Sequence, residues 1–425
     1  MSAPSLTTRR EALLAGVAWR TAYAANDRIG LGLIGVGIRG TQLLNSFQAI
    51  PGVEICAAAD VYDGHLLAVR EATRADLPVT RDYTDILQRR DVDAVIIATP
   101  DHWHARMVTD ALQAGKHVYI EKPFTWSIEQ GIAVRQAAQE SNRVVQVGSG
   151  AGSSAAALKA RELIRAGVLG SVNMIRMANN RNTPEGAWIY PIPPDASPRT
   201  IDWDRFLGPA PKREFDAKVF FRWRCWWEYS GGVATDLFVH LLTLIHGVMG
   251  VAGPVSVVSQ GGLYRWKDGR TVPDVLNSIF EYKEGFLADV YVNLANGRAA
   301  HPTTIMGTEA SLVFEDRDRL MLYPEPEPPP VQRYGSLGWP SEMRERYLKS
   351  AGDARPAARK PEEIKVERGP SHQERFIQAV RAGRNLVETA AEGLAASGAA
   401  ALANLAFRRG RRVSWNPETG QVLET

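Results

Sequence analysis

The stretch "RIGLGLIGVGIRG", from Arg28 to Gly40, decides the fold of the first half of the chain. It is an apolar, strand-like run that leads into the spacing Gly-x-Gly-x-x-Gly, and a helix-compatible segment follows. In a turn of this kind, Gly35 permits a tight bend, Gly37 lets the backbone approach a pyrophosphate, and Gly40 lets the helix pack closely on the strand. The spacing therefore predicts a strand, a turn and a helix whose N-terminal N–H groups face phosphates.

The second strand, "VEICAAAD", ends at Asp60, twenty residues after Gly40. An acid at this strand end accepts hydrogen bonds from ribose hydroxyls and repels a 2′-phosphate, so the sequence favours NAD over NADP. Ile38 and Arg39 stand inside the glycine turn and are expected to contact the same cofactor, and an arginine near this edge can also hold a phosphate. NADP therefore stays open, as does a purely structural acid at the end of the strand.

Three later strand-like segments, "DAVIIATP", "KHVYIEKP" and "RVVQVGS", alternate with helical stretches. Short apolar strands alternating with helices predict a doubly wound parallel sheet, whose ligands bind beyond the carboxyl ends of the strands. We therefore predict a Rossmann domain over residues 28–150. The further candidate cofactor contacts follow these strands: Thr99, Pro100, His104, Glu121 and Lys122.

Lys122 stands where the strand "KHVYIE" ends. A lysine at the end of a buried strand is costly unless it faces a ligand or an acid. Pro123 follows directly and fixes a sharp turn, because a helix does not readily continue through Lys-Pro. Lys122 is therefore predicted to face the ligand crevice, and a surface lysine paired with Glu121 is the alternative.

The segment "GGVATDLFVH", from Gly231 to His240, puts an acid and an imidazole four residues apart in an apolar run. Asp236 and His240 would share one face of a helix. A pair of this kind can bind a metal, form a buried ion pair or move a proton of a substrate.

Proton chemistry is the favoured interpretation of this pair. His102, His104 and His117 lie elsewhere in the chain, but no acidic or cysteine ligand completes the set at metal-like spacing, so no metal is predicted. An imidazole titrates near working pH, and a carboxylate one helical turn away can orient it. His240 is therefore the candidate base and Asp236 its orienting group, with a buried ion pair as the structural alternative.

The segment "VFFRWRCWWEYSGG" precedes this helix and places aromatic rings beside arginines. Flat rings and guanidinium donors suit stacking on sugar rings and bonding to their hydroxyl groups. Trp223 and Arg224 are therefore candidate substrate contacts, together with Asp236 and His240. Aromatic packing at a domain junction is the alternative for the tryptophan and the arginine.

The pattern of predicted secondary structure changes at about Ser171, where strand-like segments begin to follow one another with few helices between them. This pattern predicts an open mixed or antiparallel sheet with one covered face, in an α/β domain over residues 151–425. The prolines from Pro324 to Pro330 are predicted to begin an irregular stretch that runs to about Ser371. An amphipathic helix at roughly residues 388–408 is expected to pack back onto the body.

The N-terminal sequence "TTRREALLAGVAWRTAYAA" has the features of an export signal. Arg9 and Arg10 form an arginine pair, an apolar stretch follows, and Ala22-Tyr23-Ala24 is a small-x-small cleavage site. Residues 1–27 are therefore predicted to be a twin-arginine signal that directs the protein to the periplasm. A disordered basic extension of a cytoplasmic protein is the alternative.

Bulk properties exclude several functional classes. The chain has 425 residues, of which 45% are hydrophobic and 23% are charged, a composition typical of soluble globular proteins. Its formal charge of +3 is scattered along the sequence, so we predict no nucleic-acid partner. No apolar run of about 18 residues stands out, so no membrane span is predicted, and two cysteines cannot form a disulfide framework.

Taken together, the glycine turn, "ATPDHWHA", "EKP" and Gly-Gly-x3-Asp-x3-His, in this order, resemble the Gfo/Idh/MocA family of oxidoreductases. The resemblance runs from about Arg28 to the end of the chain. It implies an NAD(P)-binding Rossmann domain and a second domain whose open sheet often forms the oligomer interface, in a dimer or a tetramer. It also implies that Lys122, Asp236 and His240 occupy the family's catalytic positions. One departure is the loop "SGAGSSAA", residues 149–156, where many relatives carry a polar or arginine-containing stretch.

The residues and the resemblance together predict an NAD-dependent oxidoreductase that acts on a hydroxyl group of a sugar, cyclitol or glycoside. His240 would be the base, Asp236 would orient it, and Lys122 would polarise the reacting oxygen. The second candidate is an NAD-dependent glycoside hydrolase that works through transient oxidation of its substrate. A non-catalytic dinucleotide-binding protein is the third. An exported enzyme would carry its cofactor tightly bound and would need a closed redox cycle.

Overall fold

The computed structural model describes residues 28–298, 301–316, 319–327, 332–350 and 359–423. The predicted export signal, residues 1–27, lies outside the described residues. Two sheets organise the described part of the chain, one of six strands and one of ten.

The first sheet is parallel throughout, and its strands lie in the order β3-β2-β1-β4-β5-β6. Strands β1 and β4 are buried along their whole length, because helices cover both faces of the sheet. The strands are β1 Ile29–Ile34, β2 Val53–Ala59, β3 Val79–Thr80, β4 Ala94–Ile97, β5 His117–Glu121 and β6 Val145–Gly148. The helices between them are α1 Ile38–Gln48, α2 Asp63–Ala72, α3 Tyr83–Leu87, α4 Asp101–Gln113 and α5 Ile128–Ser141.

This topology confirms the predicted doubly wound sheet. The strand order reverses between β1 and β4, so the helices that follow these two strands lie on opposite faces and leave a crevice beyond their carboxyl ends. The two-residue strand β3 was not predicted, because it is too short to show an apolar pattern.

The second sheet is mixed and has the order β14-β13-β12-β11-β7-β10-β9-β8-β15-β16. Only the β7–β10 pair is parallel, and burial alternates along β9 and β10, as expected for a sheet with one covered face. The strands are β7 Val172–Asn180, β8 Ser256–Gly262, β9 Val275–Tyr282, β10 Phe286–Asn293, β11 Thr303–Gly307, β12 Ala310–Phe314, β13 Leu320–Pro324, β14 Glu362–Ile364, β15 Val413–Trp415 and β16 Val422–Leu423. The predicted open mixed sheet is therefore confirmed.

In the described residues, seven α-helices, one 3-10 turn and one π-helical turn accompany this sheet. The α-helices are α6 Ala155–Arg165, α7 Trp203–Leu207, α8 Ala217–Phe221, α9 Val239–Met249, α10 Ser341–Ser350, α11 His372–Ala382 and α12 Ala390–Arg409. A 3-10 turn, Trp223–Cys225, and a π-helical turn, Ala234–Phe238, lie between α8 and α9.

The stretch after Pro324 is more regular than predicted. It contains the exposed helix α10 and the edge strand β14. Pro324 itself pairs with Ala310, since it ends β13, where the missing N–H costs little.

Helix α12 lies between the two sheets rather than on the surface. Phe124 donates its backbone N–H to Ser397 Oγ at 2.8 Å, and Asn404 Nδ2 donates to the Gly231 carbonyl at 2.8 Å. The helix is buried on several faces, so the prediction of an amphipathic helix was wrong. By length and composition alone, α12 could cross a membrane, although the sequence analysis predicted no such span. However, 72% of its 18-residue apolar stretch is buried within the fold, as in the core helix of a globular protein.

Candidate active site

A cavity of about 770 Å³ opens beyond the carboxyl ends of β1 and β4 and extends between the two domains. The glycine turn and the strand ends of the first sheet form one wall. The second domain supplies the opposite wall. The predicted site residues that line the cavity are Gly35, Gly37, Ile38, Arg39, Asp60, Thr99, Pro100, Glu121, Lys122, Trp223, Arg224, Asp236 and His240.

The glycine turn has the shape that a dinucleotide requires. Gly35 has a φ of +83°, and a Cβ on Gly40 would lie 2.1 Å from the Gly35 carbonyl oxygen. Gly37 caps α1 without a side-chain hydrogen bond to the first turn, so N–H groups at the positive end of the helix remain available to a pyrophosphate. Side chains at Gly35 and Gly40 would close this turn, and the residues present therefore fit a bound NAD.

Asp60 is held as a carboxylate below the glycine turn. It accepts hydrogen bonds from the N–H of Val36 at 2.8 Å and of Tyr62 at 3.0 Å, and His65 Nδ1 lies 3.1 Å from Oδ2. Burial alone would raise the pKa of Asp60, and His65 with the two N–H groups holds it below its usual value. A negative charge at this position repels a 2′-phosphate, which favours NAD.

Arg39 does not lie at the 2′-phosphate edge. Its Nε donates to Glu121 Oε1 at 2.7 Å, and Nη1 donates to Gln42 at 3.1 Å. Glu121 ends β5, which is three strand spacings, roughly 14 Å, from the end of β2 where Asp60 lies. The buried Glu121 carboxylate is thus the partner of Arg39 in this structure, and its role as a phosphate contact stays a prediction.

Lys122 crosses to the second domain and binds Asp236. Its Nζ lies 2.7 Å from Asp236 Oδ1 and 3.0 Å from the Asp236 carbonyl oxygen, and only 12% of the lysine side chain is exposed. Arg224 Nε donates to the same Oδ1 at 3.0 Å. Burial alone would raise the pKa of Asp236, and these two cations hold it far below its usual value. The alternative of a surface lysine paired with Glu121 is therefore wrong.

The helix that carries Asp236 and His240 is not regular at its start. The π-helical turn Ala234–Phe238 precedes α9, and insertions of this kind are frequent at functional sites. The hydrogen bonds of the Asp236 carboxylate go to Lys122 and Arg224, so the prediction that it orients His240 directly is wrong.

The neighbour of His240 lies on the loop of residues 149–156, where the sequence departs from the family pattern. Ser149 Oγ lies 3.4 Å from His240 Nδ1. Glu388 anchors this loop by accepting the N–H of Gly150 at 2.8 Å and of Ser153 at 3.1 Å. Burial, and next the charge of Lys122, lower the pKa of His240 to about 3, so the ring is neutral in the free protein and is a weaker base than an exposed histidine. The expectation that it titrates near working pH is wrong for the free protein.

His104 does not face the cavity. It is buried, with Nδ1 2.6 Å from the Pro123 carbonyl oxygen and Nε2 2.9 Å from the Thr99 carbonyl oxygen. The ring thus ties the turn after β5 to the end of β4 and positions Lys122. Its prediction as a cofactor contact is therefore wrong.

His102 and His117, the other two histidines considered as metal ligands, have different partners. His102 Nε2 contacts the Phe206 carbonyl oxygen at 2.9 Å, and His117 Nδ1 accepts the Val144 N–H at 3.0 Å. In the described ranges no group of three or more His, Cys, Asp or Glu side chains is arranged to hold a metal ion.

Asp101 was missed by the sequence reasoning. Its buried Oδ2 accepts the Gly231 N–H at 3.3 Å and the Thr235 hydroxyl at 3.1 Å. It therefore joins the start of α4 to the turn that carries Asp236. Its place after Thr-Pro in "ATPDHWHA" signalled a helix start, and nothing in the sequence indicated the partner segment.

Trp223 and Arg224 line the wall of the cavity that the second domain supplies, and their role as substrate contacts stays a prediction. The Arg224 guanidinium lies 4.2 Å from the centre of the Trp223 ring, a cation–π geometry that fixes both groups. The lining residues that were not predicted include three polar ones in a segment without a periodic pattern: Arg181, Glu185 and Tyr190.

Comparisons with known proteins agree with this architecture. Residues 29–149 match the model "Oxidoreductase family, NAD-binding Rossmann fold" of the Gfo/Idh/MocA family, and residues 197–414 match its "C-terminal alpha/beta domain". A glycosyl hydrolase family 109 protein of Saccharopolyspora erythraea is 38% identical over 117 residues. This match spans about a quarter of each protein, 26% of this chain and 26% of the relative.

Two solved structures share the whole fold. Levoglucosan dehydrogenase in complex with NADH and levoglucosan superposes with a TM-score of 0.67 at 18% identity, covering 91% of this chain and 99% of its own. The aldose-aldose oxidoreductase of Caulobacter crescentus superposes with a TM-score of 0.65 at 17% identity, covering 91% and 100%. These likenesses agree in fold with the two matched domain models, and the models show that the chain belongs to the Gfo/Idh/MocA family of oxidoreductases, with an NAD-binding Rossmann domain and a C-terminal α/β domain.

Proposed function

We propose that the protein is an NAD-dependent oxidoreductase that acts on a CH–OH group of a sugar, cyclitol or glycoside. One observation carries this proposal: Lys122 reaches from the first domain to within 2.7 Å of Asp236 in the second, beside His240, in the cavity that the glycine turn also lines. An ammonium, a carboxylate and a neutral imidazole around one volume are suited to moving a hydroxyl proton.

Each of these groups has a distinct task in the proposed mechanism. Bound NAD supplies the hydride acceptor. Lys122 donates a hydrogen bond to the substrate oxygen and stabilises negative charge on it. His240 accepts the hydroxyl proton, and a negative substrate oxygen beside the ring raises its depressed pKa. Asp236 acts through Lys122, because the Asp236 carboxylate holds the Lys122 ammonium in the part of the cavity where the substrate is expected to bind.

The names of the relatives support a carbohydrate substrate. The test is a panel of sugars, inositols and glycosides, assayed by the absorbance of reduced nicotinamide and by mass analysis of the products. Oxidation of at least one panel member, dependent on Lys122, is expected. A protein that binds NAD and turns over no member of the panel would instead be the non-catalytic dinucleotide-binding protein.

The glycoside hydrolase alternative is favoured by one observation, the 38% identity to the family 109 protein over 117 residues. That similarity covers about a quarter of the relative, so it does not extend over its whole length. A purified protein that releases an aglycone without net formation of NADH would establish this alternative over the dehydrogenase.

We also propose that the protein forms a dimer or tetramer through the outer face of the second sheet. Val258 and Ile279 are cross-strand partners on this face and are 43% and 44% exposed, and Leu287 on β10 is 44% exposed. Apolar side chains in this number on one sheet face indicate an interface. We expect Ile279→Asp combined with Leu287→Asp to yield a monomer in light scattering, while Leu67→Asp on the first domain leaves the oligomer intact. A monomeric wild-type protein would contradict this prediction.

Export through the twin-arginine route is a further proposal, supported by Arg9 and Arg10 ahead of an apolar stretch. We expect the full chain to reach the periplasm of a bacterial host and the Arg9→Lys/Arg10→Lys variant to stay in the cytoplasm, by cell fractionation. Arg20→Lys is the matched control and should be exported normally. Equal distribution of all three proteins would contradict the proposal.

A further inference from the structure

The end of the cavity around Lys122 carries more positive than negative charge. Lys122 and Arg224 share the single carboxylate of Asp236, at 2.7 and 3.0 Å from its Oδ1, so two cations face one anion there. Arg181 adds a third cation to the lining. We propose that this part of the site binds a sugar that carries a carboxylate group, a uronic or aldonic acid. The inference rests on the proposed function and names its substrate class.

Arg181 is a cation without an anionic partner. It follows directly after β7, the strand of the second sheet that ends at Asn180. Its backbone N–H donates to the Asn293 carbonyl at 2.9 Å, and its Nε donates to Asn179 Oδ1 at 3.1 Å, so the base of the side chain is fixed. Within the described part of the chain the arginine forms no ion pair, and its two Nη groups make no hydrogen bond. The guanidinium therefore offers a pair of free donors to the cavity that it lines.

Two other carboxyl groups lie near this end of the cavity, and neither pairs with Arg181. Glu185 lines the cavity but is exposed. Asp101 is buried behind the wall, and its Oδ2 accepts from the Gly231 N–H and the Thr235 hydroxyl. The charge of Arg181 is therefore left for a ligand to neutralise.

The charge of Arg181 acts on the candidate base. Burial lowers the pKa of His240 to about 3, and the charge of Lys122 lowers it further. Arg39 and Arg181 act in the same direction, and the Asp236 carboxylate opposes them. A substrate carboxylate bound to Arg181 would offset part of this positive field and raise the pKa of His240 toward working pH. An acidic sugar would thus help to make the imidazole an effective base.

The donors and rings at this end of the cavity suit a carboxylate on a sugar. A guanidinium fork matches a carboxylate through two parallel hydrogen bonds. One unpaired guanidinium supplies one positive charge, which equals the charge of a carboxylate, whereas a phosphate dianion needs further cations. Tyr190 and Trp223 line the same region and provide flat rings against which a sugar can pack.

The test compares the binding of matched acidic and neutral sugars to the protein in complex with NADH. Glucuronate and glucose differ only in the oxidation state of one terminal carbon, and galacturonate and galactose form a second pair. Dissociation constants are measured by isothermal titration calorimetry. We expect the acid of at least one pair to bind at least about tenfold more tightly than its neutral counterpart, because hydrogen bonds between two charged groups are the strong ones.

Variants of Arg181 separate its charge from a structural role. Arg181→Gln removes the charge and the fork, and we expect it to weaken binding of the acid far more than binding of the neutral sugar. Arg181→Lys keeps the charge without the fork and should retain part of the preference, which keeps the test valid if the first variant does not fold. Arg346→Gln, on the exposed helix α10, is the matched control and should behave like the wild type.

Equal binding of the acid and the neutral sugar in both pairs would overturn the proposal, as would a preference that Arg181→Gln leaves unchanged. Tighter binding of glucose 6-phosphate than of glucuronate would also overturn it, in favour of a phosphate group. Turnover of the same sugars is measured separately with NAD. A protein that prefers the acid in these titrations but oxidises no sugar would contradict the proposed function alone, because the titrations involve no turnover.

Discussion

Replacing Lys122 with methionine is expected to lower kcat by a factor on the order of 10² or more, while NAD remains bound. Methionine keeps most of the length of the side chain but removes the ammonium that would polarise the substrate oxygen. Arg224 still pairs with Asp236 in this variant, so the fold is expected to survive. Turnover is measured on the substrate identified by the panel, and bound NAD is measured by mass.

Lys116→Met is the matched control for this prediction. Lys116 is a partly buried lysine just before β5, at the opposite end of that strand, and its Nζ binds the carbonyls of Arg89 and Val92 at 2.7 and 2.8 Å. Its loss should lower stability without a specific effect on kcat. Near-normal turnover in Lys122→Met, or an equal loss in both variants, would contradict the assigned role.

Replacing Asp236 with asparagine is expected to lower the free energy of unfolding by about 3–5 kcal/mol at neutral pH. The change leaves Lys122 and Arg224 without their shared anion in a site where only 12% and 22% of their side chains are exposed. Turnover should also fall, because the ammonium is no longer held in place. Urea denaturation with equilibrium analysis measures the first effect.

The pH dependence gives this prediction a definite sign. The folded-state pKa of Asp236 lies below its unfolded value, so its contribution to stability is complete above about pH 4 and is lost as the pH falls below that value. The difference between wild type and Asp236→Asn should therefore shrink in acid.

Glu162→Gln is the matched control for the stability effect. It breaks a more open pair, in which Lys159 Nζ lies 2.7 Å from Glu162 Oε1 and the two side chains are 32% and 65% exposed, and should cost less than about 1 kcal/mol. Equal losses in the two variants would contradict the account of the buried Asp236 cluster.

The sequence alone was sufficient to predict a structural feature wherever a single physical constraint determined the residue type at that position. Gly35 and Gly40 of the first turn have no space for a Cβ, and the lysine at the end of β5 is buried against an acid, as the cost of an unpaired charge requires. The alternation of apolar strands and helices was likewise enough to predict the doubly wound sheet.

The partners of those residues could not be predicted, because they come from distant segments. The spacing of Asp236 and His240 suggested a direct contact, but Lys122 and Arg224 are stronger partners for a carboxylate than a neutral ring. Arg39 likewise pairs with Glu121, 82 positions away. Burial of His240 depends on the whole domain junction, so its depressed pKa has no local signature.

The most direct test of the central claim is a crystal structure of the protein with NAD and a carbohydrate substrate. We predict that Lys122 Nζ and a ring nitrogen of His240 both lie within about 3.5 Å of the same substrate oxygen, with its carbon facing the nicotinamide ring. A substrate bound with the two side chains on different oxygens, or away from the nicotinamide, would contradict the account.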